Sequence, residues 1–77
     1  MLTGEQMRAA RAMLRMEQKH LAAAADVSLP TVKRLEKSNG LLTGHASTVM
    51  AVRSALEAAG VEFIPENGGG AGVRLKK

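Results

Sequence analysis

The chain has 77 residues, no cysteine and a single aromatic side chain, Phe63; 11 Lys and Arg stand against 7 Asp and Glu, for a net charge of +4. That length makes one small domain, and the absence of cysteine excludes disulfides and thiolate metal sites, so an aliphatic core must hold the fold. The positive balance favours an anionic partner (nucleic acid, a membrane surface or an acidic protein), while the shortage of rings argues against base-stacking platforms of the OB-fold or RRM kind.

No apolar stretch approaches the ~20 residues that span a bilayer, and the opening "MLTGEQMRAAR" lacks the apolar run of a signal peptide, so a cytoplasmic location and no membrane partner are expected. A small core also favours self-association, which makes a homodimer the expected state before any motif is read.

In chain order, Thr3 and Gln6 have the spacing of a capping box, and Leu2 and Met7 that of a hydrophobic staple. Met7, Ala10 and Leu14 continue as one apolar stripe, predicting a helix over residues 4–14. "EQKHLAAAAD" reads as a second, short helix with Leu21, Ala22 and Ala25 facing inward. Its run of small residues after Ala22 would let another backbone approach. "DVS" breaks the pattern: Asp26 tolerates turn conformations, and Ser28 is a good N-cap. A third helix is expected from Leu29 to Lys37, anchored by Val32 and Leu35. Pro30 is no obstacle in its first turn, where the missing N–H would have no helical partner and the fixed φ suits helix entry. Asn39-Gly40 stops it. A fourth helix is expected over residues 46–59, with Val49, Val52 and Leu56 inward and Gly60 as its stop. "GVEFIPE" and "VRLKK" then alternate around the glycine turn "NGGGAG", predicting a β-hairpin within residues 61–76.

Two short helices joined by a tight turn, the second opening on a hydroxyl cap, make a helix-turn-helix. Close crossing needs small residues on the first of the pair, supplied by Ala22 and Ala25. Val27 plugs the turn. With Val32 and Leu35 turned inward, Ser28, Leu29, Thr31, Lys33, Arg34 and Lys37 are left for a groove. The stretch from Thr3 to Gly40 resembles the lambda-repressor-like (Cro/cI, XRE-type) helix-turn-helix family. The resemblance is carried by Gln18-x-x-Leu21-Ala22, Val27-Ser28 and Val32-x-x-Leu35-Glu36.

It implies a mainly α fold, a compact four-helix DNA-binding domain over residues 1–60. The hairpin, residues 61–77, lies outside the common domain. The resemblance also implies that Gln18 contacts the phosphate backbone and orders a recognition-helix side chain, and that Arg11 and Glu36 form a structural ion pair. The chain departs from the family pattern in two places. Glu17 stands where a small capping residue is usual, and Leu29-Pro30 replaces the polar pair that opens the recognition helix.

The function expected on this basis is sequence-specific binding of double-stranded DNA by a transcriptional regulator, a homodimer on a two-fold operator. Arg34 is the candidate for a bidentate contact with guanine, Thr31 for a hydroxyl or methyl contact, Leu29 for a thymine methyl, and Lys33 and Lys37 for phosphates. Catalysis has little support, since the carboxylates are scattered and His20 and His45 have no partner at ligand spacing. "GGGAG" lacks the lysine and hydroxyl residue of a phosphate loop, so neither metal nor cofactor is expected. The five methionines read as core fillers. The hairpin is expected to dimerise through Phe63, Ile64 and Val73. Truncation at residue 60 would then leave a folded monomer. The alternative is an antitoxin-like interaction module whose C-terminal segment binds a partner protein.

Overall fold

A computed structural model describes residues 2–42 and 44–76; Met1, Thr43 and Lys77, the last residue of the expected hairpin segment, lie outside the described residues. Four helices come first: α1 (Gly4–Leu14), α2 (Gln18–Ala25), α3 (Leu29–Glu36) and α4 (Ala46–Ala59). The strands β1 (Val61–Ile64) and β2 (Gly72–Leu75) then pair antiparallel, Val61 opposite Leu75 and Phe63 opposite Val73.

Local chemistry sets most of these boundaries. Thr3 is extended, and its hydroxyl accepts the Gln6 N–H at 3.0 Å while the Gln6 carbonyl oxygen accepts the Thr3 N–H at 2.9 Å. That reciprocal box satisfies two amide donors at the start of α1. Leu2 and Met7, the staple pair, are both fully buried. α1 and α2 each end on a left-handed residue, Arg15 at φ 54° and Asp26 at φ 56°. In both cases the next amide reaches back five residues, Met16 N–H to Arg11 O at 3.0 Å and Val27 N–H to Ala22 O at 3.0 Å. These are Schellman closures made without glycine. Gly60, at φ 123°, turns α4 directly into β1.

The core sits between α2, α4 and the inner stripes of α1 and α3, with Met7, Leu21, Val32, Leu35, Val52 and Leu56 at its centre. Ala22 and Ala25 are buried where α2 meets its neighbours, whereas Ala23 and Ala24 are exposed, so the close approach uses two of the small residues rather than the whole run. Leu41 and Met50 remain exposed, at 59% and 65%.

The hairpin does not stand apart. Val61 is fully buried, Phe63 is 9% exposed, and Val73 packs on the same core. The face offered by Phe63 and Val73 is therefore covered by α1 and α4 of the same chain, with Arg53 of α4 stacked 5.5 Å from the Phe63 ring centre. Gln6 completes the attachment: its buried amide donates to Gly72 O at 2.8 Å and reaches Ile64 O at 3.4 Å. Set against the expectation that truncation at residue 60 leaves a folded monomer, the strands supply part of the core. Such a cut removes Val61 and Phe63 from the core and leaves a buried Gln6 amide unpaired.

Candidate nucleic-acid interface

The turn between α2 and α3 covers residues 26–28, and its geometry aims the outer face of α3 into solvent. Asp26 reverses the chain in the left-handed region, and Val27 is half-buried against the core. Ser28 then caps α3, its hydroxyl accepting the Thr31 N–H at 3.2 Å. The Ser28 and Thr31 hydroxyls also lie 2.7 Å apart, one donating to the other. Leu29 and Pro30 occupy the first turn, as their chemistry requires. At the start of α2, Glu17 is the N-cap and makes no side-chain capping bond. The departure from a small capping residue thus leaves α2 without a side-chain cap, and the Glu17 carbonyl alone accepts from its first turn, the His20 N–H at 3.0 Å.

The inner face of α3 is fixed by Val32, Leu35 and Glu36, exposed by 0%, 1% and 5%. A carboxylate that deep needs partners. Glu36 receives a two-pronged contact from Arg11, Nε to Oε2 at 2.6 Å and Nη2 to Oε1 at 2.9 Å, and a third bond from Gln18 Nε2 at 3.0 Å. Arg11 also donates to Met16 O at 2.9 Å. The Glu36 hydrogen bond holds the Arg11 guanidinium above its already high ordinary pKa. One buried acid therefore joins α1, α2 and α3, and the ion pair implied by the family resemblance is present.

Arg8 closes the other end of α3, donating to the carbonyls of Glu36 and of Ser38, the latter at 3.3 Å. A cation beside those end carbonyls is favourable by both hydrogen bonding and the helix dipole. The following loop is stitched to the start of α1: Glu5 accepts the Gly40 N–H at 2.9 Å and Leu42 N–H donates to Leu2 O at 2.9 Å. At Gly4, an added Cβ would lie 2.0 Å from Ser38 O, so only glycine permits this approach.

The proposed contact residues divide into two groups. Lys33 and Arg34 are exposed on the outer face of α3 and Lys37 is exposed at its C-cap, and their side chains make no hydrogen bond or ion pair among the described residues. Ser28 is exposed and Thr31 half-buried, with their hydroxyls already paired. Leu29 is half-buried against the core, so part of its side chain serves packing rather than an outward contact. Gln18 is half-buried and committed through one amide hydrogen to Glu36.

Sequence reading missed the roles of Arg8 and Glu5 and the second task of Gln6. Gly4 was the available signal, because a glycine opening an otherwise well-capped helix marks a close backbone approach. Arg8 and Glu5 carry no such mark, since their partners lie about 30 residues away in the chain.

Surface depressions lie elsewhere. One of about 430 Å³ is lined by Glu62, Arg74, Leu75 and Lys76, and an apolar one of about 270 Å³ by Leu2, Ala46, Val49, Met50 and Arg53. In the first, Glu62 and Arg74 are already paired with each other, and the second is mostly apolar. Among the described residues, no three potential metal-binding side chains come together. Among the described residues, no helix is long and apolar enough to cross a membrane. Comparison with models of known protein families returns no match, and no curated protein matches the chain either.

Proposed function

We propose that the chain is a sequence-specific double-stranded-DNA-binding transcriptional regulator of the lambda-repressor-like type, with α3 in the major groove and α2 crossing the phosphate backbone. The observation that carries this reading is the state of the cations on α3. Lys33, Arg34 and Lys37 stand on the solvent side of a helix whose other side is tied down by Val32, Leu35 and Glu36. A positively charged helix with free donors, mounted on a two-helix support, matches the demands of groove entry.

Arg34 is assigned the base contact, Lys33 and Lys37 the phosphates, and Thr31 and Ser28 hydroxyl contacts from the helix start. Leu29 is assigned the thymine methyl through the part of it left outside the core. Gln18 can offer a phosphate its second amide hydrogen while Glu36 holds the first. The proposal includes a homodimer on a two-fold site in the cytoplasm, and assigns neither catalysis nor a cofactor.

The alternative, a module whose C-terminal segment binds another protein, draws less support. Val61, Phe63 and Val73 are already packed on the helical body, which takes that face from a partner protein and from hairpin-mediated dimerisation alike, so the proposed homodimer uses another surface.

Selection of bound fragments from a random DNA pool by the purified chain tests the proposal. Recovery of an inverted repeat, with a dimer mass for the complex by light scattering, is the expected result. No enriched motif at low and moderate salt would overturn it.

A further inference from the structure

The chain contains two Asn-Gly dipeptides, Asn39-Gly40 and Asn67-Gly68, which are alike in local sequence chemistry and in exposure but differ in their hydrogen bonds. In such a dipeptide the backbone nitrogen of glycine can attack the asparagine side-chain carbonyl carbon, unhindered because glycine has no Cβ. The reaction needs that nitrogen to lose its proton and the backbone to swing into line with the side chain.

At Asn39-Gly40 both requirements are blocked. The Gly40 N–H donates to the Glu5 carboxylate at 2.9 Å, and Gly40 O accepts the Gly4 N–H at 3.1 Å. A carboxylate held against the N–H opposes formation of an amide anion at that nitrogen. The flanking residues are fixed as well, Ser38 O by Arg8 at 3.3 Å and Leu41 by a bridge to Thr3.

At Asn67-Gly68 nothing comparable holds the chain. Residues 65–71 are exposed, and none of them takes part in a hydrogen bond to another described residue. Positions built out from Gly68, Gly69 and Gly70 meet only open space, as does one at Gly40, so the two sites differ in their hydrogen bonds rather than in steric room.

We propose that Asn67 is a site of spontaneous covalent modification, and that the fold shields Asn39 from the same fate. The Gly68 amide gives its proton to solvent hydroxide, and the nitrogen forms a bond to the Asn67 side-chain carbonyl carbon. The bond from that carbon to its amine breaks and ammonia leaves, closing a five-membered succinimide. Water then opens either carbonyl, giving aspartate or isoaspartate. No electrons are transferred, and water is the only other reactant. The product carries one more negative charge at the hairpin tip and, in the iso form, one more methylene in the backbone there.

The test is incubation of the full chain at mildly alkaline pH, followed by tryptic mapping of residues 38–53 and 54–74 by mass spectrometry. Isoaspartate is scored by enzymatic methylation of its free carboxylate. Peptide 54–74 should acquire the mass of an amine-to-hydroxyl exchange at Asn67. Peptide 38–53 should lag by about tenfold or more, because its reaction waits on local opening. In concentrated urea the two rates should converge. Glu5→Ala, with its fold checked by circular dichroism, should accelerate Asn39 and leave Asn67 unchanged. An unmodified Asn67, an equally fast Asn39 in the native chain, or an Asn39 still slow in the folded Glu5→Ala variant would each overturn the inference.

Discussion

The cations of α3 and those of the C-terminal half have opposite circumstances. In the C-terminal half Arg53 bonds Glu57 at 3.2 Å and stacks on Phe63, Arg74 pairs with Glu62 across the hairpin, and Lys76 donates to Glu57 O at 3.3 Å. On α3, Lys33, Arg34 and Lys37 make no such contact among the described residues. The net charge of +4 is therefore unevenly available. What distinguishes a surface ready for an anion is cations left without local partners, and a composition cannot reveal that.

The comparison can be broken from below by removing the support of α3. Arg11→Ala strips the main partner from the buried Glu36, and a loss of about 3 kcal/mol in unfolding free energy is expected, near the lower end for such pairs because Arg11 is itself partly exposed. In a domain of this length that is a large share of the total stability. Urea denaturation would measure it, and a change under ~1 kcal/mol would mean that Glu36 finds a replacement partner or solvent.

The next effect separates the two sets of cations. Arg34→Ala should weaken binding to a selected DNA site by about 1–3 kcal/mol and relax preference at one base position, with stability unchanged. Arg74→Ala should leave DNA affinity within about 0.5 kcal/mol of the parent, as expected for an exposed cation away from the interface. Equal losses in fluorescence anisotropy titrations would erase the distinction. A smaller signature belongs to Lys33→Ala. It should lower affinity for specific and random DNA alike and make the slope of log affinity against log salt shallower by about one.

Much of the fold was legible because its signals are local. Thr3 and Gln6, Ser28 before Leu29-Pro30, and Gly60 mark helix ends through chemistry within a few residues, and the elements fall at or within one residue of those marks. The pairing of Arg11 with Glu36 was legible through the family pattern alone, since nothing in their separation of 25 residues announces it. The hairpin was legible as strands, yet its docking was not. Whether Phe63 and Val73 face a partner chain or their own helices depends on where α1 and α4 leave room. The candidate contact residues were named from spacing, but spacing could not show that Leu29 would be shared with the core or that the Ser28 and Thr31 hydroxyls would bind each other.

The smallest expected effect concerns pH. The Gly40 N–H, donating to Glu5, holds that carboxyl below its ordinary value of 4.5. A group depressed on folding stabilises above its unfolded pKa, and the contribution disappears as pH falls through the folded value. The urea midpoint should therefore decline more steeply below pH 4.5 in the parent than in Glu5→Gln. Identical pH profiles would show that the contact is energetically silent.

The reach of Gln6 to Gly72, across 66 positions, also bears on the order in which the molecule is made. During synthesis α1 emerges ahead of the acceptors for its buried amide and ahead of Val61 and Phe63, the side chains that close the core beside it. The four helices can condense on the ribosome, yet the native packing waits for β1 and β2. Joining α1 to the hairpin in this way favours a single cooperative transition over separate fraying of the strands, with amides of α1 and β1 exchanging through the same global opening.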